Sequence, residues 1–138
     1  MTSPAPRPVP RPDVYVHTQP FWTGARERKL LLQFCTDTGQ FQHHPRPVSI
    51  HSGSRNLEWR EVCGRGVIYA CSILRVGRPD AAARLPLDIA TIELEEGVRI
   101  IANIIDSPAD SIRIDAAVVL AWDMLDDDMP YPAFKVVG

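Results

Sequence analysis

From residue 57 onward the chain is a succession of short runs rich in β-branched and aromatic residues, each closed by a turn signal. "LEWREV" leads into the "GRG" turn at 64–66, and "VIYACSILRV" follows. A Gly/Pro/Ala-rich connection, "GRPDAAARLP", separates these from "LDIATIEL" and "RIIANIID". Those two strands are joined by "EEGV", whose glycine marks a hairpin loop. "IRIDAAVVLAWDML" supplies a fifth strand, "DDDMPYP" breaks it, and "AFKVV" closes the chain. Five or six short strands with little helix confine the fold to a small closed barrel or a sandwich. No internal repeat is present.

The N-terminal part reads differently. The first dozen residues, "MTSPAPRPVPRP", hold five prolines and two arginines. Such a segment has few backbone donors and favours extended polyproline structure, so residues 1–17 are expected to form a flexible arm, the alternative being an arm that drapes over a partner subunit. In "HTQPFWTGARERKLLLQF", Thr18 is placed as the N-cap of a helix with Pro20 in its first turn. Gly24 keeps that helix short, and "KLLLQFC" is the strand that follows. The expected organisation is an arm over 1–17, a helix with a small loop-rich unit over 18–56, and a barrel over 57–138.

Composition narrows the function. With 15 basic and 17 acidic residues the net charge is −2, so the footprint of a nucleic-acid-binding surface is missing. The three cysteines, Cys35, Cys63 and Cys71, have no paired spacing. With no secretory leader and no apolar run near membrane-spanning length, the expectation is a cytoplasmic protein with free thiols.

One stretch carries the outline of a metal site. "CTDTGQFQHHPRPVSIHSGS", residues 35–54, places a residue pair, a Pro-rich spacer and a second pair as two zinc knuckles would. Structural zinc takes four Cys or His ligands in a tetrahedron. Here the four positions are Cys35, Thr38, Ser49 and Ser52. Neutral, hard hydroxyls do not replace thiolates, so three positions are disabled and no metal is expected. Cys35 with His43, His44 and His51 would be a substitute set of acceptable donors. Adjacent histidines on an extended backbone point to opposite faces, however, so a solvated turn with surface histidines is the expectation.

The order of features resembles the DUF35 family, small acyl-CoA-associated proteins with a rubredoxin-like zinc ribbon followed by an OB-fold barrel. The matching stretches are "PFWTGARERKLLLQFC", "RPVSIHSGS", "LEWREVCGRGVIYACSI", "IATIELEEGVRIIANI" and "IRIDAAVVLAWDMLDDDMPYPAFKV", with "EWREVCGRG" the most distinctive; they run in family order from about residue 19 to 136. The resemblance implies a mainly β fold: a short helix, a degenerate ribbon and an OB barrel. It implies cysteines at the four knuckle positions, which this chain keeps only at Cys35. It also implies a non-catalytic accessory role beside a thiolase-like, hydratase or aldolase subunit acting on acyl-CoA. A zinc-less ribbon is expected to be looser, or steadied by a partner, because in metal-bound ribbons ligation energy is folding energy.

Independent catalysis finds little support in the residues. Cys63 precedes the "GRG" turn, where Arg65 would lower its pKa, but all four histidines lie upstream. Cys71 reads as a small core residue of a strand. Glu93, Glu95, Glu96 and the run Asp126–Asp128 read as solvated turns. For a CoA ester, phosphate-pairing cations beside an aromatic face are wanted. Phe21 and Trp22 with Arg26, Arg28 and Lys29 form one such set, and Trp59, Arg60, Arg65 and Tyr69 a second. A stand-alone barrel binding acyl-CoA or another small ligand is therefore the alternative to the accessory subunit.

Overall fold

The computed structural model describes residues 14–77, 85–126 and 129–137. The Pro-rich arm and most of the 77–86 connection lie outside these residues. The helix α1 (Gln19–Arg26) turns Phe21, Gly24 and Ala25 inward. Thr18 precedes it but does not cap it. Its hydroxyl accepts the Tyr15 N–H at 2.8 Å and donates to the Tyr15 carbonyl at 3.2 Å. At φ −108° and ψ −12° the residue is already in helical conformation, so its side chain serves the preceding turn rather than the helix N-terminus.

Strands β1 (Leu31–Cys35), β2 (Gln40–Gln42) and β3 (Leu57–Glu61) form a three-stranded antiparallel sheet with β1 in the middle. Five β1–β3 pairs run from Leu31 opposite Glu61 to Cys35 opposite Leu57. The "LEWREV" run, expected at the start of the barrel, therefore closes the ribbon. The barrel begins only after the chain turns at Gly64.

Strands β4 (Arg65–Leu74), β5 (Leu87–Leu94), β6 (Arg99–Ile104), β7 (Ala117–Asp126) and β8 (Met129–Val136) close a barrel in the order β4-β5-β6-β8-β7. The period-two pattern fills it: Ala90, Ile92 and Leu94 from β5, and Ile100, Ala102 and Ile104 from β6, point inward. Ile68, Val118 and Phe134 complete the centre, and Phe134 is fully buried. A parallel pairing, the one among the described residues, of β6 with β8 at Asn103–Ala133 and Ile104–Phe134 seals the circle. The "EEGV" loop joins β5 to β6 as expected, with Gly97 donating to the Leu94 carbonyl at 2.9 Å.

Two local expectations are corrected. "MPYP" does not break structure, since Pro130 and Pro132 lie inside β8. They precede the Ala133 pairing with β6, so this stretch has only β7 alongside and the missing N–H groups remove no barrel hydrogen bond toward β6. Cys71 is exposed rather than core. A bulge between Ile68 and Ala70 shifts the alternation, and residues 69–74, "YACSIL", are exposed on both faces of the strand among the described residues.

Close packing of β4 on β5 depends on Gly66, where a Cβ would stand 2.4 Å from the Glu93 carbonyl oxygen and 2.9 Å from the Ile92 side chain. The backbone cannot give way without opening the barrel. Gly66→Ala is expected to lower stability by about 1–3 kcal/mol, as overpacked cores do, measured by urea denaturation.

Candidate functional site

The two knuckles are built alike. Gly39 follows Cys35–Thr38 at φ +71°, and Gly53 follows Ser49–Ser52 at φ +77°, a region only glycine enters freely. Gly39 N–H bonds the Cys35 carbonyl at 2.8 Å, and Gly53 N–H bonds the Ser49 carbonyl at 2.9 Å. Ser49 Oγ accepts the N–H groups of His51 and Ser52 at 3.1 and 3.2 Å, the amide bonds that a knuckle thiolate would otherwise receive. Scaffold geometry is thus retained where the ligand atoms have changed.

A carboxylate ties the two loops. Asp37 accepts from Ser52 Oγ at 3.1 Å, from Ser54 Oγ, and from Asn56 Nδ2 at 2.9 Å. These bonds hold its carboxyl below the ordinary value, Ser54 contributing most. Cys35 is fully buried, and its Sγ lies 3.6 Å from Ser52 Oγ. Hydrogen bonds from Ser49, then Thr38, outweigh the effect of burial, and with Ser52 they bring the thiol down to about 6.

This donor set does not fit zinc. It offers one thiol and three hydroxyls, two of which, Ser49 and Ser52, are already committed to backbone amides and Asp37. Nor are the histidines gathered into a substitute site. His51 Nε2 contacts the Phe41 carbonyl at 3.1 Å, and His43 packs on Phe21 at 5.6 Å between ring centroids. Among the described residues no cluster of three His, Cys, Asp or Glu side chains is placed to hold a metal ion.

Two buried glutamines fix the rest of the loop. Gln33 Oε1 accepts from Gln42 Nε2 at 2.7 Å and from the Arg46 N–H at 2.8 Å, while Gln42 Oε1 accepts the Ile50 N–H at 2.8 Å. Residues 43–45 are thereby held between α1 and the barrel. His43 and His44 do not point to opposite faces, since their rings lie 4.3 Å apart. Nor is His43 a surface residue: burial first, then the neighbouring His44, pushes it down to about 4, and its Nδ1 is buried without a hydrogen-bond partner.

Around His43 lies a cleft of about 360 Å³, lined by α1, loop 43–45, β6 and β8. Phe21 and Trp22, chosen from the sequence, are both in it. Trp22 stands edge-on to Phe21 at 5.0 Å and to Tyr131 at 5.9 Å. Arg26 in the last turn of the helix and Arg28 and Lys29 just past its end are exposed beyond it, Arg28 against Met124 Sδ and Lys29 beside Glu27. The second set is not brought together. Trp59 lines a ribbon groove with Arg46 and Arg55, and Arg60 stacks on Phe34 and pairs with Glu58. Arg65 pairs with Glu95, and Tyr69 lies under Arg99.

Cys63 is likewise not activated. Burial is the main reason its pKa is raised, and hydrogen bonds to Glu95 and Glu96 add to it, while Arg65 is engaged by Glu95. The sequence reading missed Asp37, Ser54 and Asn56. Their signal was the close succession Ser52, Ser54, Asn56, three side-chain donors gathered in and just after the turn of the second knuckle.

A ribbon on a five-stranded closed barrel defines a two-part class, and comparison with known proteins identifies its family. The description "ChsH2, rubredoxin-like zinc ribbon domain" matches residues 22–58, and "ChsH2, C-terminal OB-fold domain" matches residues 59–123. The chain belongs to the DUF35 family. It is 31% identical over 126 residues to a probable enoyl-CoA hydratase alpha subunit of Thermomonospora curvata, covering 91% of this chain but only 39% of that protein. It is 29% identical to a DUF35 domain-containing scaffold protein of Methanocaldococcus jannaschii, covering 78% of this chain and 77% of the other. Among solved structures, a chain of the "Ltp2-ChsH2(DUF35) aldolase" is 29% identical with a TM-score of 0.82, covering 91% of this chain and 98% of that one. No helix among the described residues is long and apolar enough to cross a membrane.

Four outcomes are expected of this site. Asp37→Ala speeds amide exchange in residues 49–56 before that of the barrel strands, and a chelator leaves the wild-type melting temperature unchanged; restoring cysteine at 38, 49 and 52 yields one bound zinc per chain by elemental analysis. His43 binds its proton more weakly when folded than its ordinary 6.5, so its contribution is intact above pH 6.5 and is lost as pH falls toward 4. A pH series of melting temperatures is expected to show that slope in the wild type and a shallower one in His43→Phe.

Proposed function

We propose that this chain is a non-catalytic scaffold subunit of an enzyme complex acting on acyl-CoA thioesters. Its partner is a hydratase, an aldolase or a thiolase-like enzyme, and the partner carries the catalytic groups. The observation that carries this reading is the likeness to a chain of the Ltp2-ChsH2(DUF35) aldolase structure, which spans ribbon and barrel together. A hydratase alpha subunit and a scaffold protein among its relatives point the same way.

The chemistry of the side chains supports the division of labour. Cys35 is enclosed by hydroxyls, and Cys63 is held by carboxylates. His43 and His51 are engaged with Phe21 and the Phe41 carbonyl, away from both thiols. Cys35, whose pKa is lowered to about 6, is fully buried and so closed to a substrate, while Cys63 has a raised pKa and no imidazole base within reach among the described residues.

The test is co-purification. Tagged full-length chain expressed in its own host is expected to recover an acyl-CoA enzyme subunit in stoichiometric amount, and the eluted complex to turn over an acyl-CoA substrate that this chain alone leaves unchanged. Turnover by the isolated chain, or recovery of the partner enzyme active and assembled without it, overturns the reading.

A further inference from the structure

The ribbon carries a groove of its own, on the face of β3 that Arg60 does not share. Trp59, Leu57, Val16 and His17 line it together with Arg46 and Arg55, and it holds about 500 Å³, within the range of small-molecule sites. Trp59 stands directly opposite Gln33 in the β1–β3 pairing, so the two side chains leave the same face of the sheet. The buried Gln33 amide grips the Arg46 backbone twice, its Oε1 accepting the Arg46 N–H at 2.8 Å and its Nε2 donating to the Arg46 carbonyl at 2.9 Å. Sheet register thereby anchors Arg46 near Trp59. Arg55 precedes β3, and Leu57 and Trp59 follow it at two-residue intervals.

Charge sets this groove apart from the rest of the surface. Arg60, Arg65 and Arg99 are each paired with a glutamate. The guanidinium groups of Arg46 and Arg55 have no carboxylate partner among the described residues, and no Asp or Glu lines the groove. Glu61, next on the same face beyond Trp59, lies outside it. Two uncompensated positive charges therefore sit together on a chain whose net charge is −2.

The lining restricts the occupant from two directions. A phosphate dianion has acceptor oxygens enough for two guanidinium forks, which a single carboxylate has not. An inorganic anion, however, would leave the half-buried Trp59 indole without a partner, and that indole presents a flat face to a ring. An uncharged ring would in turn leave both arginines unmatched. We infer that this groove binds a nucleotide-class ligand, its phosphate held by Arg46 and Arg55 and its ring laid against Trp59. The site lies in the N-terminal half and does not depend on the scaffold role, so its test uses this chain alone.

The full-length protein is titrated with AMP, adenosine, phenyl phosphate and inorganic phosphate and followed by NMR. AMP is expected to shift the Trp59 indole N–H and the amides of Val16, His17, Arg46 and Arg55. It binds roughly tenfold tighter than adenosine or inorganic phosphate, the equivalent of about 1.4 kcal/mol, and more weakly as salt rises. Arg46→Gln and Arg55→Gln, both at exposed positions, each weaken AMP roughly tenfold and leave adenosine unchanged. Trp59→Leu removes the advantage of AMP over inorganic phosphate; should that variant fail to fold, the two arginine variants decide. Phenyl phosphate binding as tightly as AMP would overturn the nucleotide assignment. So would shifts confined to other residues, no shifts at millimolar AMP, or either arginine variant binding AMP as the wild type does.

Discussion

The carboxylate of Asp37 is the hinge on which the N-terminal half depends. It sits in the first knuckle and collects three donors from the second, so one side chain joins two loops, beside the bonds of Thr36 to the Asn56 carbonyl and the Cys35–Ser52 contact. In a metal-bound ribbon the corresponding tie is a single ion, charged, tetrahedral and indifferent to which ligand fails last. Here it is distributed over hydroxyls and one carboxylate, each bond weaker and each replaceable. Between the two knuckles, the Gln33 and Gln42 bonds set the loop that brings residues 43–45 to the cleft beside α1 and the barrel.

Charge on this protein is spent locally. Arg60 lies beside Glu58, Arg65 beside Glu95 and Arg99 beside Glu93, all at exposed positions where such pairs contribute little to stability. Each pair neutralises its own patch of surface.

How much of this was legible in the sequence follows from what each feature depends on. The barrel strands were readable because their burial alternates with period two, and the "EEGV" hairpin because its glycine is a local requirement. The Cys71 environment was not, since a bulge after Ile68 resets the alternation and nothing in the six letters "YACSIL" announces it. Pro130 and Pro132 read as breakers because the rule for proline depends on which neighbour a strand lacks, a fact of topology rather than composition. The absence of thiolates at positions 38, 49 and 52 was plain, but what joins the loops instead was not: Asp37 meets Ser54 and Asn56 across a separation of 17 and 19 residues. Likewise, Phe21 and Trp22 were picked as a binding pair, while Tyr131, their counterpart from the far end of the chain, was not.

The outer half of β4 brings a different matter into view. Residues 69–74 carry no charge and no proline, pair on one side with β5, and are exposed on both faces among the described residues. Strands with those properties recruit other strands, which is why natural edges usually carry lysine or proline to prevent it. The outer half of β4 is thus the stretch of the described chain most open to pairing with a strand that is not its own, and the bulge that frees it from the barrel is also what leaves it so.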